Sequence, residues 1–438
     1  MKDSICINLE DFIISDILSI EEWIEDDTYD IEVDEVHAFY AKERDGNIVS
    51  VSHNSALISL FSFDDEDMLT CKFGNWWESN PELARANNTA VIVRNRIEKE
   101  EFIELWKKIE ASKSGEPGFF FTNDMEMGGN PCFEISLKAN QFCNLVTMNA
   151  NNINSQEELE LSSRKAAFIA TLQASYTDFH YLREIWKKTT EKEALIGVSI
   201  TGIASGNLNE LDLKKAAKIA MEENERVAKI IGINKAARAT AIKPEGTSSI
   251  VLGTSSGMHA WHNDYYIRRV RVGKNESIYK YLLENNPELL EDDYFKPKTQ
   301  SIITVPQKAP ENAILRKNES AIQALERVKL LHKNWIKPGH RKGSNTNNVS
   351  ATITIKDNEW EEVGDWLWEN KDSYTALSFL PYDGHTYTQA PFEDIDEETY
   401  NKMFKHLKDV NLDNIIEYSD ETDLKGELAC AGGACEIK

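Results

Sequence analysis

From about residue 90 onward, strand-like and helix-like stretches alternate, and that order confines the chain to an α/β architecture. Residues 90–93 form a short apolar run of the buried-strand kind, and 98–111 carry apolar side chains at helical spacing. Ser155-Gln-Glu-Glu158 predicts a capping box, opening a helix that continues with a break to about residue 188. A further helix is expected over 211–231, stopped by Gly232. Residues 301–305 and 349–355 are β-branched runs that predict strands, with helices near 320–335 and 359–368. No internal repeat accompanies them.

The 438 residues leave room for one large domain and an appendage. Acidic residues number 74 against 49 basic ones, a net charge of −25. Such a chain offers no basic stripe to neutralise phosphates, so a general nucleic-acid binder is excluded. A phosphorylated small molecule can still bind where backbone amides hold it. The six cysteines, Cys6, Cys71, Cys132, Cys143, Cys430 and Cys435, are too sparse for a secreted disulfide scaffold and point to a reducing cytoplasm. Near the N-terminus Ile13, Ile14, Ile17 and Leu18 are interrupted by Asp11 and Asp16, a pattern that gives neither a signal peptide nor a membrane span.

The densest chemistry lies in Asn130-Pro-Cys-Phe-Glu-Ile-Ser-Leu137, followed by Cys143-Asn-Leu145. If extended, this segment turns an amide (Asn130), a thiol (Cys132) and a carboxylate (Glu134) toward one face. Asn and Pro are disfavoured inside strands, so the residues alone allow either an active-site layout or a loop entering a strand that buries two cysteines. A second candidate is Lys243-Pro-Glu-Gly-Thr-Ser-Ser249: Pro fixes a turn, Gly admits close backbone approach, and the hydroxyls and amides of Thr and Ser can cradle an anion. Taken alone it is equally a plain turn. Asn87, Asn88 and Thr89 read as a turn or a substrate contact and stay unassigned. The terminus ends Cys430-Ala-Gly-Gly-Ala-Cys435; Cys-x4-Cys without a second pair is a poor zinc motif, and its glycines suit a dithiol that travels. No metal site is expected.

The segment 1–54 is a different kind of object. Between positions 3 and 41 it holds thirteen acidic residues and no Lys or Arg. It reads either as an acidic, partly disordered arm or, through Tyr29-Asp-Ile-Glu-Val33 and His37-Ala-Phe-Tyr40, as short strands. The segment closes on Val49-Ser-Val-Ser-His-Asn-Ser55, and these three blocks together resemble the C-terminal fragment of a split intein, a small all-β Hint-type fold. That resemblance implies cyclisation of Asn54 with cleavage before Ser55, proton donation by His53, assistance by His37, and acyl transfer to the Ser55 hydroxyl. The connection at 42–47 is longer and more charged than the family pattern.

The Asn130 to Leu145 stretch resembles the finger loop of adenosylcobalamin-dependent (class II) ribonucleotide reductases. The resemblance extends to the 243–249 loop, to Ser255-Ser-Gly-Met-His259 with Tyr265-Tyr-Ile-Arg-Arg269, to Thr375-Ala-Leu-Ser-Phe-Leu-Pro381, and to the terminal dithiol. It implies the later part of a ten-stranded α/β barrel around a central finger loop, over residues 55–411, with 412–438 as a redox tail after the 1–54 fragment. It also implies that Cys132 becomes a thiyl radical, that Glu134 acts as base on the ribose, and that Asn130 holds the ribose hydroxyls. Cys143 matches one member of the reducing pair, Cys430 and Cys435 re-reduce it, and Gly246, Thr247 and Ser248 take the substrate phosphates. The implied cofactor is adenosylcobalamin and the implied reductant a thioredoxin- or glutaredoxin-like dithiol. Reductases fed by an iron subunit carry two adjacent tyrosines where this chain has Ser378-Phe379. The other reducing cysteine and the early barrel strands find no match, and Cys71 does not fit the motif. A separate chain bearing the N-terminal reductase half and the other intein half is therefore expected. The alternatives are a subunit that assembles without splicing, or an autoprocessing protein whose reductase-like domain is not catalytic.

Overall fold

The computed structural model describes residues 57–408, except 81–82, 84–85, 181, 247, 295, 383–388 and 391, together with 410, 411, 415 and four strands ahead of residue 57. Those four are β1 (Ile17–Trp23), β2 (Thr28–Val33), β3 (Ala38–Lys42) and β4 (Ile48–His53). They pair as two antiparallel ladders, β1 with β2 and β3 with β4. β2 and β3 fall on the two stretches expected as short strands, and β1 and β4 were not anticipated.

The body begins with β5 (Leu57–Ser62), β6 (Ala86–Val93) and β7 (Gly118–Thr122), three parallel neighbours. The helix Lys99–Ser112 connects the last two, opened by a reciprocal capping box on Glu98. Asn87, Asn88 and Thr89 therefore lie in a strand rather than a turn, because sheet neighbours on both sides outweigh the turn preference of asparagine. A short antiparallel hairpin follows, β8 (Met127–Gly129) with β9 (Ser136–Lys138), and then β10 (Leu145–Asn149) parallel to β11 (Gly197–Thr201).

Between β10 and β11 the expected long helix is two, Gln156–Ala174 and Glu184–Glu193. Ser155 caps the first by accepting from the Glu158 N–H, but the Glu158 carboxylate reaches the Asn154 N–H instead of closing the box on Ser155. The helix Leu213–Ile231 ends at Gly232 as its sequence predicts, with φ +79° there.

A second sheet is antiparallel, ordered β13–β14–β12–β17, from β12 (Tyr265–Gly273), β13 (Leu290–Asp292), β14 (Gln300–Lys308) and β17 (Phe392–Asp394). The remaining strands, β15 (Thr352–Ile355) and β16 (Ala376–Pro381), complete the five-stranded order β15–β16–β7–β6–β5, with β16 antiparallel to β7.

Isolated parallel bridges extend that order. Val198 of β11 pairs with Thr240, and Ile242 pairs with Val349 just ahead of β15. Hydrogen bonds thus run from β10 through β11, 239–242, 348–355, β16, β7 and β6 to β5. Among the described residues β5 and β10 are the two edges, and no ladder joins them. The barrel implied by the resemblance is therefore not closed by these residues. One face of the sheet carries the main core, in which Phe102, Phe119, Phe121, Trp106, Trp360 and Phe379 pack ring on ring. The other face receives the β8–β9 hairpin.

Candidate active site

Alternation along β6 sets the two faces apart. Asn87 donates from Nδ2 to the Pro131 carbonyl at 2.8 Å, whereas its neighbour Asn88 donates to Cys71 Sγ at 2.9 Å on the opposite face. Cys71, the C-cap of the helix Glu66–Thr70, thus lies across the sheet from the hairpin.

The hairpin tip is not extended, as the sequence had suggested. The Phe133 N–H donates to the Asn130 carbonyl (2.8 Å), Phe133 sits at φ +56°, and Asn130 Oδ1 accepts from the Ile135 N–H (3.0 Å). Here the asparagine side chain takes the place of a ladder partner and closes a tight loop, which is why Asn-Pro opens this segment. The Phe133 ring anchors the loop on Phe120, centroids 4.5 Å apart. Gly129 leaves room for it, since a Cβ there would lie 2.5 Å from the ring.

An asparagine-rich run that the sequence reading passed over clamps this loop. Ser350 Oγ donates to the Cys132 carbonyl (2.6 Å) and the Asn348 N–H to the Glu134 carbonyl (3.0 Å). Asn347 Oδ1 accepts from the Ser136 N–H (3.3 Å), and Ser136 Oγ donates to the Thr346 carbonyl (2.6 Å). At the base, buried Arg238 pairs with Glu193 at 2.6 Å and donates to the Ser136 carbonyl at 3.2 Å. The signal available in the sequence was the density of amides in Gly343-Ser-Asn-Thr-Asn-Asn348, which could have marked a loop built to satisfy another loop's backbone.

Four of the expected residues lie on or beside this loop. Asn130 hydrogen-bonds the Glu134 carboxyl, and burial pushes that carboxyl above the usual carboxylate range. Cys132 and Cys143 both carry thiols and are partly exposed. Cys143 packs with Ile135, Leu195 and Ala241; burial, and then the charge of Glu134, pushes its thiol up to about 11.

The 243–249 loop follows the 239–242 segment, whose Ile242 is bonded to both Asn348 and Ser350. It therefore lies beyond the C-terminal end of parallel strands, where α/β sheets place ligands. The Gly246 carbonyl accepts from Arg268 of β12 (3.1 Å) and from Ser249 Oγ (3.3 Å), while Ser248 opens the short helix Ser248–Val251. Arg268, stacked over Phe392 at 5.0 Å, thus ties the second sheet to the loop, a link absent from the sequence reading. Glu245, buried at φ +56°, was passed over as well.

His53 ends β4 opposite Ala38. His37, Asn54, Ser55, Thr247, Cys430 and Cys435 lie outside the described residues. Among the described residues no helix is long and apolar enough to cross a membrane.

No family model matches the sequence. Among curated proteins, the chain is 26% identical over 444 residues to the adenosylcobalamin-dependent ribonucleoside-triphosphate reductase of Lactobacillus acidophilus, covering 88% of this chain and 56% of that protein. It is 27% identical to a probable protein of the same name from Dictyostelium discoideum, covering 69% and 42%, and 24% identical to that of Euglena gracilis, covering 89% and 54%. Among solved structures, a B12-dependent class II ribonucleotide reductase shares the fold with a TM-score of 0.66 at 24% identity, over 81% of this chain and 54% of that one. Over much of its length the chain is homologous to the adenosylcobalamin-dependent class II ribonucleotide reductases, and it spans about half the length of the relatives it matches.

Proposed function

We propose that this chain is the later part of an adenosylcobalamin-dependent ribonucleotide reductase and that it works only when joined to a polypeptide carrying the earlier part. The observation that carries the reading is the clamped loop, which holds Asn130, Cys132 and Glu134 together on one face of the sheet near Cys143. The relatives' name favours a ribonucleoside triphosphate as the substrate. Its phosphates would lie against Gly246, Thr247 and Ser248, and Asn130 would hold its ribose hydroxyls.

In this reading Cys132, as a thiyl radical, takes the 3′ hydrogen, and Glu134 accepts the proton of the 3′ hydroxyl. The 2′ hydroxyl leaves as water, two thiols are oxidised to a disulfide, and the ribose is reduced. Cys143 is one of those thiols. The second comes with the missing part, because Cys71 is bonded to Asn88 on the far side of the sheet. Cys430 and Cys435 would then return electrons from a thioredoxin- or glutaredoxin-like dithiol in the cytoplasm.

The residues present fit a cofactor that delivers its radical directly beside the thiol. Ser378, on the hairpin side of β16, is exposed, and Phe379 is locked in the opposite core against Trp106. A tyrosine relay has no place at that pair. Leu60 and Ser378 border the open side and would contact adenosylcobalamin, which when bound supplies the radical that Cys132 takes up.

The segment ahead of Ser55 supplies the joining chemistry in this reading. Asn54 cyclises, His53 and His37 assist, and the Ser55 hydroxyl receives the acyl group from the partner's fragment. Mass spectrometry after mixing with a partner fragment should find a longer polypeptide and a small released peptide, and Asn54→Ala should prevent both. The joined enzyme should reduce ribonucleotides with adenosylcobalamin, and Cys132→Ser should abolish that. Reduction by the unjoined chain alone would remove the split reading.

A further inference from the structure

A loop that holds an anion with its amides must turn its carbonyl oxygens the other way, since an acceptor facing a phosphate repels it. In the 243–249 loop three carbonyls do face the protein. That of Lys243 lies against Gly257, where a Cβ would come within 2.3 Å of it, and that of Glu245 accepts from the Ser249 N–H (3.2 Å) and the Ser256 hydroxyl (3.5 Å). Gly246 is held differently. Its oxygen accepts from Ser249 Oγ within the loop (3.3 Å) and from Arg268 Nη2 in the middle of β12 (3.1 Å), two donors for its two lone pairs.

Arg268 belongs to the second sheet, and its guanidinium has little freedom to move. The residue is 8% exposed, it stands opposite Phe392 in the β12–β17 ladder, and its guanidinium lies 5.0 Å from the centre of that ring. The ring is fixed in turn by His262, stacked on it at 5.0 Å. Because a peptide group is planar and trans, an oxygen held toward Arg268 turns the N–H of the same peptide the opposite way. Resting on the reading of Gly246, Thr247 and Ser248 as the phosphate-binding residues, we propose that Arg268 is a positioning residue for that loop: from the second sheet it holds the Gly246 carbonyl away from the substrate and so presents the amide of the same peptide to the phosphates. Arg268 touches no phosphate in this scheme. Phe392 sets the arginine, and the arginine sets the loop.

The test titrates inorganic tripolyphosphate into the full chain by calorimetry, well below the unfolding midpoint of each variant, so that a loss of stability alone leaves the affinity in place. Thr247→Glu puts a carboxylate in the loop and should abolish binding. If the unaltered chain binds nothing, or Thr247→Glu binds as well as it does, the phosphate reading of the loop falls and the proposal falls with it. Arg268→Met should weaken binding about tenfold, through the loss of one hydrogen bond from a charged donor. Phe392→Leu keeps the guanidinium and removes only the ring that orients it, and should weaken binding about threefold. Binding that is lost in Thr247→Glu but unchanged in Arg268→Met overturns the proposal and leaves the phosphate reading standing. An affinity unchanged in Phe392→Leu also overturns it, because the arginine would then act by charge alone, and this variant decides by itself where Arg268→Met does not fold by circular dichroism.

Discussion

The two faces of the five-stranded sheet are built by different forces. On one, Phe119 and Phe121 of β7 pack with Phe102, Tyr374 and Phe379 in a core of buried rings. On the other, β6 and β16 present Asn87, Ala376 and Ser378 to a loop that one ring, Phe133 on Phe120, anchors and hydrogen bonds orient. The aromatic face is non-directional and roughly proportional to area, so it fixes that the sheet forms. The polar face is directional, and it fixes where Cys132 and Glu134 stand. Stability and geometry are therefore assigned to opposite sides of the same strands, and substitutions should separate them.

The largest effect is expected on the aromatic side. Phe119→Ala removes a ring that packs against Phe102, Phe121, Tyr374 and Phe379. It should cost about 3–5 kcal/mol in urea unfolding, with the loss spread over the whole sheet. A cost below about 1 kcal/mol would mean that the rings do not carry the fold. Next comes Cys143, whose thiol is pushed up to about 11. Below that pH its thiolate fraction falls tenfold per unit. Alkylation at pH 8 should therefore be about 100-fold slower than for a thiol of ordinary pKa, and should keep rising up to about pH 11. A rate that levels off near pH 9 would place Cys143 in water instead of beside Glu134.

Asn347→Ala comes third. It strands the Ser136 N–H and the Thr240 carbonyl, which its side chain now satisfies at 3.3 and 3.1 Å. The cost should be about 2 kcal/mol, and amide exchange should quicken over 132–136 more than over 118–122. Equal acceleration in both stretches would erase the distinction between the faces. The smallest effect is Asn87→Ala, which loses one bond to the Pro131 carbonyl. About 1 kcal/mol is expected, with Cys71 reactivity unchanged, because Asn88 and not Asn87 holds that sulfur.

The same contrast explains which parts could be read in advance. The helix Leu213–Ile231 announced its own end through Gly232, because a cap is a local event within a few residues. The helix Lys99–Ser112 was legible through apolar side chains at helical spacing, an equally local signal, and β14 and β15 stood out through branched side chains at adjacent positions. The break after residue 174 was harder to place, since the text Ser-Tyr-Thr-Asp still permits a helical turn.

The candidate site was half legible. Asn130, Cys132, Glu134 and Cys143 are residue types whose chemistry is visible without a structure. Asn87 stayed unassigned, because asparagine favours turns when isolated and only the neighbours β5 and β7 make it a strand residue. Ser350, Asn347 and Asn348 act through backbone atoms of a loop far earlier in the chain, and no spacing rule connects such distant positions.

By itself, then, the sequence determined several helices, the strands around 90–93, 301–305 and 349–355, the acidic character of the stretch ahead of Lys42, and the identities of the reactive groups, since each of these is set within a short window of chain. Tertiary structure alone decided that the Asn130 to Glu134 segment folds back as a loop, that Cys71 is kept from it by the thickness of a sheet, and that Glu245 is buried against Lys243 and Thr147. The physical reason is that burial and hydrogen-bond satisfaction belong to pairs of segments, and a pair exists only once the chain has folded.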